Sequence, residues 1–441
     1  MPHLALVPLT GFRVREREML ELGMALPGLH SRRAALGALP ALGLLTLAGL
    51  TPDHWTIAYH PAPTCDEELI ETLVAQRPRL VAISALTASI DEAYRLSQSL
   101  RRRGVRTVLG GLHATVCLDE AAQHCDAVVV GEGEPVWREL LADAEAGSLK
   151  PVYRAAQHRT EPSWPLPRFD LLGGNPARFT LQTQRGCPLA CEFCGASRLL
   201  GRFREKPADA VRQELAAIRA IDPSPVIELA DDNTFAGGGD AEPLLAALQE
   251  SGARWFTESD WRLGERPEVL ARLAAAGCVQ VLVGIESLVF RYPGMGRKQS
   301  DMNRIMDAVL AIQAAGVAVN GCFIVGADGE THQSLGRLTQ FILDSPLADV
   351  QVTLQTPFPG TALHRRLKDE GRLLHQRGWA YYTLFDVTFL PDVLTVDELE
   401  NAFAGVLRAV YSVEATARRT AIRRNIWRGN CGLTHDHSFA V

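Results

Sequence analysis

The chain has 441 residues, 47% hydrophobic and 22% charged, the make-up of a globular protein with room for two or three domains. A net charge of −6 gives no reason to expect nucleic acid as a partner. Nine cysteines, an odd number at this length, do not suggest a disulfide framework and fit a reducing, cytoplasmic setting.

No signal peptide is expected over 1–12, which has no basic segment ahead of its apolar run. The most apolar window, 34–50, is broken by Gly37, Pro40 and Gly43, so it predicts a buried helix and no transmembrane segment. The first third alternates short apolar runs with helical periodicity. Strands are predicted over 4–9, 55–59, 80–84, 105–109 and 127–130, with a basic irregular stretch over 13–33. Helices are predicted over 40–50, 66–76 and 90–103. This alternation predicts an α/β domain over 1–150 built on a doubly wound, Rossmann-like parallel sheet. Ligands of such sheets lie beyond the carboxyl ends of the strands. Ser84-Ala85-Leu86, Gly110-Gly111-Leu112-His113 and Gly131-Glu132-Gly133-Glu134 fall there. Glycines at these points either admit a large ligand or only make tight turns.

Prolines crowd 151–176, which reads as a linker whose Trp164 and Phe169 pack on domain surfaces. From 177 to 365 strands are predicted over 179–183, 226–229, 254–257, 279–283, 317–324 and 350–356. Helices over 208–220, 241–250, 262–276 and 302–315 lie between them. Six such repeats predict a partial (β/α)6 barrel with its chemistry at the carboxyl ends of the strands. A small helical C-terminal extension follows over 366–441. Its aromatic-rich stretch 379–389 and helix 396–412 are expected to form a packing layer over the barrel. Arg418, Arg419, Arg423 and Arg424 read as a solvated helix face, and His435-Asp436-His437 as a polar tail.

The densest chemistry lies in 180–201, TLQTQRGCPLACEFCGASRLLG, where Cys187, Cys191 and Cys194 follow a strand-like run. A structural zinc site usually wants four ligands, and no second cysteine pair follows. A cubane iron–sulfur cluster takes a thiolate at each iron, so three leave one iron open for a further ligand.

The C-x-x-x-C-x-x-C spacing, with Phe193 before the last cysteine, resembles the cluster loop of the radical S-adenosylmethionine (SAM) superfamily. The resemblance implies a [4Fe–4S] cluster on Cys187, Cys191 and Cys194, with SAM on the fourth iron and cleaved to a 5'-deoxyadenosyl radical. Phe193 then belongs to the SAM site. Asp231-Asp232-Asn233 resembles the family's triplet beside the SAM amino group, although such a triplet also caps helices. Glu286, in the run Gly284-Ile285-Glu286-Ser287, resembles the ribose-facing acid of the family, a buried salt bridge being the alternative. Gly326 closes a segment resembling the adenine-side strand, within which Cys322 reads as a core thiol. Thr257-Glu258-Ser259-Asp260 faces either the barrel cavity or solvent.

The upstream S-x-L, GG-x-H-A-T and GEGE elements resemble the cobalamin-binding domain of one branch of that superfamily. The WPLPRFDLL linker and the TPFPGTAL turn resemble the same branch. This implies Ser84, Leu86, Gly110, Gly111, His113, Gly131, Glu132 and Gly133 as cobalamin-binding residues. The D-x-H-x-x-G motif that supplies a cobalt ligand is missing, so His113 is not expected to bind cobalt. The implied activity is cobalamin-dependent C-methylation of a small-molecule or natural-product substrate, with flavodoxin or ferredoxin as electron donor. A non-methylating rearrangement, cyclisation or oxidation, and a non-catalytic cofactor sensor, are the alternatives.

Overall fold

The computed structural model describes residues 1–9, 14–26, 29, 39–155, 164–174, 176–195 and 202–428. The His435–His437 tail and parts of the 13–33, linker and 180–201 stretches lie outside the described residues.

Six parallel strands form the first sheet: β1 (His3–Leu9), β2 (Thr56–Tyr59), β3 (Leu80–Ala85), β4 (Thr107–Gly110), β5 (Ala127–Val130) and β6 (Val152–Arg154). Their order is β2-β1-β3-β4-β5-β6, with the switch of direction between β1 and β3. The three-residue edge strand β6 lies in the stretch read as linker, where prolines hide its pattern. Helices α1 (Arg17–Ala25), α2 (Leu42–Leu50), α3 (Glu67–Ala75), α4 (Ile90–Arg102), α5 (Leu112–Val116), α6 (Leu118–Ala121) and α7 (Trp137–Ala146) fill the connections. Two separate cores show that both faces of the sheet are covered. Val7, Ile83, Leu96 and Leu100 pack on one side, and Leu6, Val108, Trp137 and Leu140 on the other. Burial on both faces is why these strands read as continuous apolar runs.

The second sheet is also parallel: β7 (Phe179–Leu181), β10 (Val226–Leu229), β11 (Arg254–Ser259), β12 (Cys278–Glu286), β13 (Ala318–Val325) and β14 (Asp349–Leu354). Its order β14-β13-β12-β11-β10-β7 is that of an open six-stranded barrel wall. The two-residue strands β8 (Gln184–Arg185) and β9 (Arg204–Glu205) pair antiparallel and pinch the base of the cysteine loop. Helices α8 (Ala208–Arg219), α9 (Glu242–Ser251), α10 (Pro267–Leu273), α11 (Met302–Ala314) and α12 (His332–Asp344) cover the outside. The stretch 262–276, read as one helix, is a 3-10 turn (Trp261–Glu265) followed by α10. Pro267 begins the second piece, and Gly264 lies so close to the Ala308 backbone that no Cβ fits between them.

Three further helices complete the chain: α13 (Ala362–Asp369), α14 (Val396–Val410) and α15 (Val413–Arg428). The basic run on α15 is only partly solvated: Arg424 is exposed, whereas the other three arginines are docked. Arg418 donates to the carbonyls of Leu343 and Ser345, buried Arg419 to that of Val410, and Arg423 meets Asp349 at 3.3 Å. Trp427 Nε1 donates to Val279 O at 2.9 Å, so α15 lies across the amino ends of the barrel strands. No helix among the described residues is long and apolar enough to cross a membrane.

Candidate cofactor and active site

Alternation along the barrel strands decides what faces the interior. Ile227, Trp255, Val281, Val319 and Val352 go to the outer core. Their neighbours turn inward, and the register places Thr180, Glu228, Phe256 and Gln280 side by side, with Glu258, Leu282 and Asn320 one layer higher. The interior is therefore polar as well as apolar. The acceptor atoms Glu228 Oε2, Gln280 Oε1 and Asn320 Oδ1 are buried there without a hydrogen-bond partner. Burial pushes the Glu228 carboxyl up to about 7, whereas Glu258, one layer higher, is exposed.

The cysteine loop leaves β8 at the carboxyl end of this wall. Its backbone is stitched to the 292–296 segment by Ala190 N to Gly294 O (3.1 Å) and Glu192 N to Pro293 O (2.9 Å). Gly294 has φ +83°, and a Cβ there would strike Ala190 O, so the cradle fits only glycine. The side chain of Glu192 is held by Arg366 of α13, at 3.1 and 3.2 Å, and its carbonyl accepts from Leu363 N at 2.9 Å. Arg366 and Arg372 then share Asp328. Phe193 packs edge-on against Tyr292 with ring centres 4.8 Å apart. Burial pushes the Cys191 thiol up to about 12, with Glu286, Cys194 and Cys187 adding to the shift, so Cys191 feels both of the other thiols.

No group of three His, Cys, Asp or Glu among the described residues is spaced to enclose a single metal ion. A cubane binds each thiolate to a different iron, so its ligands stand wider apart than those of one ion. Three cysteines outside any disulfide, on a glycine-cradled loop, fit that larger group.

The Asp231–Asn233 triplet divides into three roles. Asp231 is fully committed: it accepts from Thr183 N (2.7 Å), Gln184 N (3.1 Å), Thr234 Oγ1 (2.8 Å) and the Thr183 hydroxyl, fastening β10 to the start of the cysteine loop. Asn233 Nδ2 donates to Asp260 Oδ2 at 3.0 Å and lies 3.7 Å from Cys187 Sγ. Asp232 keeps a buried Oδ2 with no partner, and burial beside Asp231 pushes its carboxyl up to about 6.

Glu286 is a non-glycine residue at φ +71°, where β12 slips register against β13. Its carboxylate pairs with Lys298, with both side chains about nine-tenths buried and packed over Gly284. Burial opposes the Lys298 charge, but Glu286 outweighs it and holds the ammonium charged. Burial raises the Cys187 and Cys191 thiols, and Lys298 offsets only part of that rise. Sequence reading missed this lysine because it sits twelve positions beyond Glu286 in a loop without periodicity. Gly326 turns away from the mouth: its N–H donates to Glu330 at 2.6 Å, and a Cβ would press on Phe389 and Leu399.

At the sheet domain, Leu86 is 67% exposed and Leu112 38% exposed, apolar side chains held out at the ends of β3 and β4. Ser84 and the Gly110-Gly111 turn lie behind them, with Ser84 Oγ and Ala85 O against Gly111. His113 is buried, bonded to Thr87 Oγ1 at 3.3 Å and packed edge-on against Trp379 at 5.0 Å. The GEGE turn faces the barrel. Glu132 pairs with Arg185 and Arg204, Glu134 pairs with Arg185 at 2.9 Å, and Gly133 lies on Leu47. Arg185 also stacks on Trp164, 5.4 Å from the ring centre. Gly131 N donates to Thr115 Oγ1 at 3.0 Å.

A cavity of about 400 Å³ lies between the two domains. Leu86, Leu112 and His113 form one wall, and Phe193, Cys194, Ile324 and Phe358 the opposite wall. Tyr382, Thr383 and Leu384 close the third side, so the C-terminal extension shapes the cavity as well as packing over the barrel. Trp379 fixes that segment to the sheet domain through Glu120 at 2.9 and 3.1 Å. Of the residues expected at the cofactor sites, Leu86, His113, Phe193 and Cys194 meet here; Gly326, Glu132 and Gly133 do not.

A family model described as B12 binding domain matches residues 32–141, and one described as Radical SAM superfamily matches residues 181–342. The chain belongs to the radical SAM superfamily and carries a B12-binding domain. It is 28% identical over 350 residues to the bacteriochlorophyllide d C-12(1)-methyltransferase of Chlorobaculum tepidum, covering 77% of this chain and 76% of that one. The solved radical SAM methyltransferase TsrM from Kitasatospora setae, with cobalamin and a [4Fe–4S] cluster bound, superposes with a TM-score of 0.62 at 15% identity. That match covers 93% of this chain and 89% of TsrM. The cobalamin-dependent SAM radical enzyme OxsB gives a TM-score of 0.63 at 14% identity, over 92% of this chain and 66% of OxsB. At these identities the two structures share a fold with this radical SAM protein. Against OxsB the chain spans just under two thirds of the length.

Proposed function

We propose that this radical SAM protein is a cobalamin-dependent C-methyltransferase acting on a small-molecule or natural-product substrate. The observation that carries the reading is the shared cavity: Cys194 opens into the same space that Leu86 and Leu112 wall from the sheet domain. The 28% identity to a named methyltransferase supports methyl transfer over the other radical reactions of such folds. When bound, the cluster and cobalamin supply reductive SAM cleavage and methyl transfer to a substrate carbon.

The chain's own residues bind, orient and exclude water. Cys187, Cys191 and Cys194 hold the cluster on the loop that Gly294 cradles and Arg366 clamps. Asp232, the acid of its triplet with an unpaired oxygen, receives the SAM ammonium by a charge-assisted hydrogen bond. Asn233 holds Cys187 against the end of β11. Leu86, Leu112 and Phe358 keep the space between the two cofactors apolar, and Tyr382 closes its rim.

The test is anaerobic reconstitution followed by iron, sulfide and cobalt analysis and incubation with methyl-labelled SAM. The reading expects about four irons per chain, bound cobalamin, and both 5'-deoxyadenosine and S-adenosylhomocysteine once substrate is supplied. Deoxyadenosine without S-adenosylhomocysteine would overturn methyl transfer. Failure of C187A, C191A and C194A to reduce the iron content would overturn the cluster.

A further inference from the structure

The surface beside the cysteine loop carries a charge pattern that the proposed chemistry has not used. The chain is acidic overall, at −6, and many of its exposed cations are paired: Arg103 with Glu67, Arg272 with Glu242, and Arg304 with Glu265. Arg291, Arg297 and Lys368 are exposed and form no ion pair among the described residues. Exposed Arg365 bonds only to a backbone carbonyl, Gly360 O at 3.0 Å.

These four cations lie on two segments that are both joined to the cysteine loop. Arg291 and Arg297 flank the 292–296 segment, whose Pro293 and Gly294 carbonyls bind the backbone of Glu192 and Ala190. Arg365 and Lys368 lie on α13, tied to the same loop through Leu363 N to Glu192 O and through Arg366. The nearby carboxylates Glu192, Asp328 and Glu370 are taken up by Arg366 and Arg372, leaving Asp369 as the exposed acid of α13. Between the two cationic segments, Pro188 is exposed, and Leu189 and Ala190 are half-buried. The thiol-bearing loop is thus one residue layer from solvent at this rim.

We propose that this rim, framed by Arg291, Arg297, Arg365 and Lys368, is the docking surface for a small acidic one-electron carrier protein. The inference rests on the cluster reading above. The reduced carrier gives up one electron and is oxidised, and the electron enters at the cysteine loop for use in SAM cleavage. An acidic partner is steered to a local cationic rim on an acidic protein. Such steering is screened by salt over a Debye length of about 10 Å at 0.1 M.

The test compares the wild-type chain with the double variants R291E/R297E and R365E/K368E, and with R138E on the sheet domain as a remote control. Two readouts are taken with reduced and oxidised flavodoxin as probe: its binding to the metal-free protein, and the rate at which it bleaches the reconstituted cluster. Photoreduced deazaflavin, a small molecule that needs no docking surface, serves as the second reductant. The rim variants are expected to bind flavodoxin and accept its electron at least about tenfold more weakly. Deazaflavin rates and R138E behave as wild type, and added salt narrows the difference. Equal flavodoxin binding in the wild type and both rim variants would overturn the proposal. So would equal loss with both reductants, which marks damage to the cluster site. If the wild type takes up no iron yet loses flavodoxin binding on rim reversal, the docking surface stands and the cluster reading falls.

Discussion

The guanidinium of Arg366 grips the carboxylate of Glu192 between the second and third cysteines, although the two residues are 174 positions apart. Glu192 is only 5% exposed, so R366M strands a buried negative charge. Removing one partner of a buried pair costs about 3–5 kcal/mol, and the solvent-reachable side of Arg366 puts the expected loss near the lower end. The apo protein should melt several degrees lower and retain less iron after reconstitution, with R366K intermediate. Calorimetry and iron assay check both.

Lys298 and Glu286 form a second coupled pair. K298M should destabilise the protein more than the double variant K298M/E286Q, because the double change leaves no unpaired carboxylate behind. A double-mutant cycle on urea midpoints measures the difference. A result in which the two single losses simply add would show that the residues do not act as a pair.

Replacing Gly294 with alanine places a Cβ against Ala190 O and forces a side chain onto φ +83°. The strained backbone alone costs about 1–3 kcal/mol. The steric conflict falls on the cysteine loop, so cluster uptake should suffer more than global stability. Iron content compared with the circular-dichroism melt separates the two effects.

An interior acid makes stability depend on pH. Burial pushes Glu228 up to about 7, from an unfolded value near 4.5. Between 4.5 and 7 the folded chain therefore holds a proton that the unfolded chain has released. Its contribution is favourable at low pH, is lost as pH rises through this window, and is constant above it. Urea midpoints of the apo protein at pH 6 and pH 8.5 should differ less in E228Q than in the wild type.

Much of the fold was legible because both sheets are parallel: the first is buried on both faces and reads as apolar runs, and the barrel strands carry an apolar outer face, all bounded by helical periodicity. The three cysteines were legible for another reason: their spacing lies within one short loop. What escaped was set by contacts distant in sequence. Nothing near Glu286 announces Lys298, and nothing near Glu192 announces Arg366. Asp231 and Asp232 are adjacent and chemically identical, yet one is saturated by the Thr183 and Gln184 backbone and the other keeps a bare oxygen. Glu132 and Gly133 match a cofactor-binding pattern, and the contacts show a further role for one of them: Gly133 packs on Leu47 of its own domain, while Glu132 docks across the domains on Arg185 and Arg204.

That docking has a thermodynamic consequence. Arg185 stands at the root of the cysteine loop and holds Glu134 of the sheet domain, with both side chains nearly buried. Anything that stiffens the loop root favours the domain arrangement, and anything that stiffens the sheet domain's turn favours the loop root. Linkage makes such an effect equal in both directions. Occupancy at the cysteines and occupancy beside Leu86 should each raise affinity at the other place by one common factor. In E134A, that factor should shrink towards one.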